Sequence, residues 1–146
     1  MSNVFRRSLI GWSLVLGSLS GPAAVHAQKQ IVGTPTATLT PGIKYGDVLY
    51  VSGQLGNSRQ DPDSTIQGET KRALDKIKGI VESAGSSMDK VLKCTVFLVN
   101  VADFQGMNQA YQQFFPKEPP TRSTIVVAAL VVPNAKVEIE CLAGLK

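Results

Sequence analysis

The most regular pattern of apolar and polar residues lies near the C-terminal end of the chain. Residues 121–132 are rich in valine, isoleucine and threonine, a composition that predicts one strand. Pro133 and Asn134 indicate a turn. Residues 136–142 then alternate polar and apolar side chains, which is typical of a half-buried strand. We expect these two segments to pair as antiparallel neighbours.

Two other segments carry apolar residues at helical spacing. In the first, the apolar positions are Ile66, Ala73, Leu74, Ile77, Ile80, Val81 and Ala84. Gly85 is expected to end this helix. In the second, the apolar positions are Phe104, Met107, Tyr111, Phe114 and Phe115. Asp103 is expected to cap the second helix and Pro116 to end it.

Three further apolar segments predict strands, and they set the fold class. Residues 48–52 and 91–99 are apolar enough for buried strands, and residues 38–43 form a weaker strand interrupted at Pro41. The order strand, strand, helix, strand, helix, strand, strand indicates an α+β domain with both helices on one face of a mixed sheet. The other face would be bare and rich in valine, isoleucine and alanine, so we expect an oligomer that covers it.

The first 27 residues have the pattern of a secretory signal peptide. Arg6 and Arg7 precede an apolar run of about 11 residues, and Val25-His26-Ala27 has the small-x-small shape of a cleavage site. The run is shorter than the roughly 20 residues that cross a bilayer. The twin arginines leave both the general secretory route and the twin-arginine route open.

Cleavage after Ala27 defines the expected organisation of the chain. We expect a signal peptide over residues 1–27, a loose lead-in over 28–36 and a single domain over 37–146. The mature protein is then periplasmic or secreted, and it is not anchored in the membrane.

Removing the signal peptide changes the chemistry that is available. Arg6 and Arg7 are its only charged residues, so the net charge of the chain falls from +4 to +2. The only histidine, His26, is also lost. A serine or cysteine nucleophile then has no imidazole base, and a zinc site has no imidazole ligand. We therefore expect no metal site and no nucleic-acid partner.

The two cysteines, Cys94 and Cys141, each lie inside a predicted strand. An exported protein can oxidise such a pair to a disulfide. Buried reduced cysteines that pack as small apolar residues are an equally open alternative.

Charged residues in the two C-terminal strands are candidates for a site. Arg122 begins a largely apolar row, and Glu138 and Glu140 point to one side of the following strand. An arginine beside a glutamate on a neighbouring strand can grip a small carboxylate and hold a water molecule next to it. The alternative is a surface arginine at a strand end and the solvated face of a half-buried strand.

Three polar or small residues elsewhere are weaker candidates. Ser52 and Gly53 at a strand end offer a hydroxyl and a backbone without a side chain in the way, although Gly53 also suits a bulge or turn. Asn108 lies one residue off the apolar stripe of the second helix, where it borders a pocket or is simply exposed.

Over residues 39–143 the chain resembles the RidA (YjgF) family of enamine/imine deaminases. The motifs that carry the resemblance are Gly46–Gln54 (GDVLYVSGQ), Ile80–Gly85 (IVESAG), Lys93–Leu98 (KCTVFL), Asp103-Phe104, Asn108, Tyr111, Phe114–Pro116 (FFP), Pro120–Ser123 (PTRS) and Val137–Glu140 (VEIE). Their order along the chain makes the resemblance specific.

The resemblance implies a fold and an activity. The fold is a chorismate-mutase-like mixed sheet of the bacillus type, assembled as a homotrimeric barrel with sites between subunits. The activity is the hydrolysis of reactive 2-imino or enamine acids, of the 2-aminoacrylate or 2-iminobutanoate type, to 2-oxo acids and ammonia. It needs no cofactor because the imine bond is already labile in water.

The resemblance also implies roles for individual residues. Arg122 matches the arginine that binds the substrate carboxylate, and Glu140 matches the glutamate that holds the attacking water. Ser52, Gly53 and Asn108 match residues of the substrate pocket. Thr124 stands where many members have cysteine, a position that can still contribute its backbone amide to substrate binding.

One departure from the family pattern favours a different function. Active deaminases of the family usually carry a tyrosine at the position of Leu39. The alternative is therefore a non-catalytic trimer of the same fold that binds small carboxylates or protects other proteins in a chaperone-like way. A ribonuclease activity, known in parts of the family, is disfavoured by the lack of histidine and the near-neutral charge of the mature chain.

Overall fold

The structure is a computed structural model that describes residues 28–146. The predicted signal peptide and its cleavage site lie outside these residues. The strands are β1 (Gln30–Val32), β2 (Gly42–Tyr45), β3 (Val48–Leu55), β4 (Val91–Leu98), β5 (Thr121–Val126) and β6 (Val137–Gly144). The helices are α1 (Ile66–Ser83) and α2 (Phe104–Phe114), and short 3-10 turns span Met88–Lys90 and Val101–Asp103.

The six strands form one mixed sheet in the order β1-β2-β3-β6-β4-β5. Strands β4 and β5 are parallel, and all other neighbours are antiparallel. Both helices contribute to the same core, whose fully buried residues include Leu49, Leu74, Ile77, Met107 and Ile139. The prediction of an α+β domain with a mixed sheet and two helices is confirmed. The opposite surface of the sheet is called the open face below.

The ends of the helices follow from a few local contacts. The side chain of Thr65 accepts a hydrogen bond from the amide of Gly68 at 3.1 Å and so caps α1. Gly85 adopts φ 78°, the left-handed conformation that glycine favours, and it follows the end of this helix as predicted. The prediction for Asp103 was wrong in its detail, because its side chain makes no capping bond. Asn100 caps the preceding turn instead, by accepting a bond from the amide of Ala102 at 3.0 Å.

Two predictions for the C-terminal strands were also wrong. The strand expected over residues 121–132 ends at Val126, level with the end of its partner strand. The Val127 amide donates to the Leu98 carbonyl at 2.8 Å, and the apolar residues beyond it have no strand partner in the sheet. The expected antiparallel pairing is absent from the described sheet, since β4 lies between β5 and β6.

The N-terminal part of the described chain is more regular than the sequence suggested. The segment expected to be a loose lead-in contains β1, which pairs with β2 from Gln30 opposite Lys44 to Val32 opposite Gly42. The first predicted strand lies further along, at Gly42–Tyr45. A three-residue strand is too short to show a period of two in the sequence.

Cys94 and Cys141 form a disulfide at the centre of the sheet. They are directly opposite each other in β4 and β6, with 4.1 Å between their Cα atoms, and both are buried. The bridge decides between the two alternatives that the sequence left open. Neither helix of the described chain has the length and apolar character of a membrane span.

Candidate functional site

A cleft of about 350 Å³ lies on the open face of the sheet, where β3, β6 and β4 run side by side. Its lining includes charged and hydroxyl side chains from three strands and the segment before β2: Thr40, Tyr50, Ser52, Lys93, Thr95 and Glu140. Glu140 is exposed and stands opposite Thr95 in the β4–β6 pair. The alternation predicted for β6 is confirmed, since Val137, Ile139, Cys141 and Ala143 are all buried.

Ser52 is held in place by the chain that precedes β2. Its hydroxyl donates to the carbonyl of Thr40 at 2.5 Å, and its amide donates to the carbonyl of Pro41 at 3.0 Å. Because the hydroxyl proton is used in this way, Ser52 presents oxygen lone pairs rather than a donor to the cleft. Its fixed orientation fits a residue that accepts a hydrogen bond from a ligand or from water.

Gly53 follows Ser52 at an irregularity in the pairing of β3 with β6. A side chain at this position would meet the carboxylate of Glu138, which would have to turn away to make room. The glycine leaves the Glu138 side chain where it is and keeps the backbone next to Ser52 uncovered.

Arg122 lies on the other side of the sheet, against helix α2. The carbon at the centre of its guanidinium is 4.7 Å from the centroid of the Tyr111 ring and 5.9 Å from that of Phe104. Its Nη1 atom points to the sulfur of Met107 at 3.9 Å. No carboxylate within residues 28–146 forms an ion pair with it, so its charge is available to an anion.

Tyr111 is buried and its hydroxyl has no hydrogen-bond partner in the described part of the chain. Its ring also packs on Phe115, with 4.8 Å between the centroids. Burial raises the pKa of its phenol to about 12, and the positive charge of Arg122 offsets only part of that rise. The phenol therefore stays neutral in the core at ordinary pH.

Two predicted site residues lie on the same side as Arg122. Thr124 is two residues further along β5 and is half-buried. Asn108 is four residues after Phe104 and three before Tyr111, so helical spacing places it on the strip of α2 that faces Arg122. We call Arg122, Asn108 and Thr124 the helix-side group.

The other three predicted residues, Ser52, Gly53 and Glu140, form the open-face group. The prediction that Arg122 and Glu140 come from neighbouring strands was wrong, because β4 separates them. Two strand spacings put their backbones roughly 10 Å apart, and their side chains point to opposite faces of the sheet. One copy of the chain therefore does not bring the two groups together.

Some features of the cleft and of the helix-side group were not predicted from the sequence. Lys93 and Thr95 line the cleft, and the alternation of β4 would have placed them on the open face. The packing of Arg122 on α2 depends on how the helix crosses the end strand, for which the sequence carries no signal. Leu39 is 45% exposed and is not part of the cleft lining.

Comparison with known proteins identifies the family. The family model described as Endoribonuclease L-PSP matches residues 30–145, which is nearly all of the described chain. The chain belongs to this family, which is the RidA (YjgF) family that its motifs resemble.

Among similar proteins are two with names that state an activity. Reactive Intermediate Deaminase A from Arabidopsis thaliana is 34% identical over 131 residues, which cover 84% of this chain and 70% of that protein. The 2-iminobutanoate/2-iminopropanoate deaminase of Dermatophagoides farinae is 37% identical over 122 residues, which cover 78% of this chain and 94% of that protein.

Among solved structures, that of E. coli TdcF with bound serine superposes with a TM-score of 0.72 at 32% identity. The match covers 80% of this chain and 98% of TdcF.

Proposed function

We propose that this protein hydrolyses short 2-imino acids, such as 2-iminobutanoate, to 2-oxo acids and ammonia. The observation that carries the proposal is the half-buried Arg122, whose charge meets no acidic partner within residues 28–146. The names of the relatives support the same reaction class.

Arg122 binds the carboxylate of the substrate. A guanidinium matches a carboxylate with two parallel N–H···O bonds, and each charge-assisted bond contributes roughly 1.5–3 kcal/mol. Binding at this fixed point sets the position of the imine carbon relative to the catalytic groups.

Glu140 activates the water. As the water oxygen attacks the imine carbon, the carboxylate takes one proton and passes it to the nitrogen, which gives a carbinolamine. Transfer of the hydroxyl proton to the nitrogen then breaks the carbon–nitrogen bond, releasing ammonia and the 2-oxo acid. Proton transfer by a positioned carboxylate contributes about 100- to 10,000-fold. Ser52 accepts a hydrogen bond from the same water.

Two copies of the chain complete each site. The helix-side group of one copy packs over the open-face group of the next, and this brings Arg122 and Glu140 to one ligand. When two different surfaces of the same protein bind each other, successive copies form a closed ring if the rotation between neighbouring copies brings the last copy back to the first. A homotrimer with three equivalent sites satisfies this requirement and covers the open face of the sheet.

The protein works outside the cytoplasm. Its first 27 residues have the signal-peptide pattern, and the Cys94–Cys141 bridge is of the kind that persists in an oxidising compartment. Maturation at Ala27 can be checked by N-terminal sequencing of the protein recovered from a periplasmic fraction. A mature N-terminus elsewhere, or retention in the cytoplasm, would contradict this part of the proposal.

The reaction is tested by imine clearance in an assay coupled to an amino-acid oxidase, with the spontaneous hydrolysis of the imine subtracted. Arg122→Ala and Glu140→Gln should each lower kcat/KM at least about 100-fold. Arg59→Ala and Glu118→Gln are matched controls, because both residues are exposed and neither belongs to the two site groups. Wild-type activity in Arg122→Ala or Glu140→Gln would refute the assigned role.

The same assay separates the proposal from a binding module without turnover. If the wild-type protein binds 2-oxobutanoate but does not accelerate the loss of any imine, the protein is a carboxylate-binding trimer. Leu39 favours this second function, because a leucine at the position where active deaminases of the family usually carry a tyrosine supplies no phenol.

A further inference from the structure

Arg122 is held in place by aromatic rings rather than by acidic groups. The faces of Tyr111 and Phe104 lie 4.7 and 5.9 Å from the centre of the guanidinium, within the range of cation–π attraction. The third contact is the Met107 sulfur, which is a weak hydrogen-bond acceptor.

These contacts stabilise the positive charge of Arg122 without neutralising it. A carboxylate beside a half-buried arginine would neutralise its charge and occupy its N–H groups. An aromatic ring attracts the cation through its π face, so the N–H donors that are not directed at the ring or the sulfur remain available. The guanidinium is therefore partly desolvated and held at a fixed place, with its main hydrogen-bonding capacity unused.

The hydroxyl of Tyr111 does not explain why a tyrosine stands there. This hydroxyl is buried without a hydrogen-bond partner among the described residues, which destabilises the folded state. The phenol stays neutral, because burial raises its pKa to about 12. The ring thus does not become an anion that would compete with a ligand for Arg122.

We infer that Phe104 and Tyr111 are positioning residues that hold Arg122 ready for the substrate carboxylate. This inference rests on the proposed function, in which Arg122 binds that carboxylate. The two aromatic residues act through the arginine and belong to the same helix as Asn108, so α2 both holds Arg122 and carries Asn108.

The test compares the removal of each ring with its conservative replacement. Tyr111→Leu and Phe104→Leu should each raise KM, and weaken the binding of 2-oxobutanoate in calorimetry, by roughly 2- to 30-fold while kcat changes less. Tyr111→Phe keeps the ring and should recover most of the affinity that Tyr111→Leu loses. Phe104 is only half-buried, so Phe104→Leu keeps the test usable if Tyr111→Leu does not fold.

Phe115→Leu is the matched control. It removes a buried ring that packs on Tyr111 and is not among the rings that contact Arg122, so it should lower the melting temperature and leave KM near the wild-type value. If the two ring-removing variants change stability as Phe115→Leu does and leave KM unchanged, the inference is overturned.

A double-mutant cycle identifies the route of the effect. If Tyr111 acts through the charge of Arg122, the effect of Tyr111→Leu on the affinity for 2-oxobutanoate should shrink in an Arg122→Gln background, which has no cation for the ring to attract. Equal effects in both backgrounds would overturn the inference. Arg122→Ala separates it from the proposed function, since normal turnover in that variant would refute the function itself. Loss of turnover in Arg122→Ala together with an unchanged KM in Tyr111→Leu would refute the positioning role alone.

Discussion

Reduction of the Cys94–Cys141 bridge should destabilise the protein strongly. The bridge joins residues 47 positions apart, and closing a loop of that length lowers the entropy of the unfolded chain by an amount worth about 4 kcal/mol at 25 °C. Reduction of the wild-type protein leaves every side chain in place, so the comparison carries no penalty for a cavity. For a chain of this size the loss corresponds to roughly 15 °C in melting temperature.

The assay is urea unfolding of the mature protein with and without a thiol reductant, at one fixed protein concentration because an oligomer is expected. With a slope of about 2 kcal/mol per molar urea, reduction should lower the midpoint by about 2 M. In the control variant Cys94→Ala the reductant should change nothing. Equal midpoints for oxidised and reduced wild-type protein would refute the reasoning, as would two thiols free to alkylate in protein purified without reductant.

Three further predictions concern two glycines and the buried tyrosine. Gly56→Ala should lower the free energy of unfolding by about 1–3 kcal/mol or more, because its new methyl group would collide with the backbone of Glu69. In Gly79→Ala the new methyl group lies in helix α1 and meets no atom within 4 Å, so the free energy of unfolding should rise by about 0.5–1 kcal/mol. If urea unfolding ranks the two variants in the opposite order, both predictions are contradicted. Because the pKa of Tyr111 is raised in the folded state, this residue stabilises the folded protein, and the stabilisation is fully present below pH 10.0, the ordinary pKa of a phenol. The stabilisation is lost as the pH rises towards about 12. A tyrosinate absorbance titration should show one late phase that is absent in Tyr111→Phe, and an unchanged titration in that variant would contradict the assignment.

Local patterns in the sequence predicted most of the elements. Helix α1 was recognisable from its apolar spacing and from Gly85, because both act within a few residues of the chain. The alternation in β6 placed Glu138 and Glu140 on one face for the same reason. Side-chain direction within one element needs no knowledge of its neighbours.

The relations between distant elements were harder to predict. The strand predicted over residues 121–132 is too long. The prediction followed the β-branched residues that continue after Val126, whereas the partner strand β4 ends at Leu98, opposite Val126. The pairing of the last two strands was wrong because the sequence does not show that β4 inserts between them. That single difference moves Arg122 and Glu140 from adjacent strands to strands that β4 separates. The disulfide pairing depended on the same strand order, so the sequence left it open.

Subunit complementation tests most directly whether Arg122 and Glu140 of different copies form one site. Inactive Arg122→Ala and Glu140→Gln proteins, carrying different tags, are unfolded together and refolded as mixed oligomers under oxidising conditions. Each restored site needs Arg122 from one variant and Glu140 from the other, so random mixing should return about one quarter of the wild-type imine hydrolysis. If mixed oligomers are recovered through both tags and their activity stays at the level of the separate variants, the shared site does not exist.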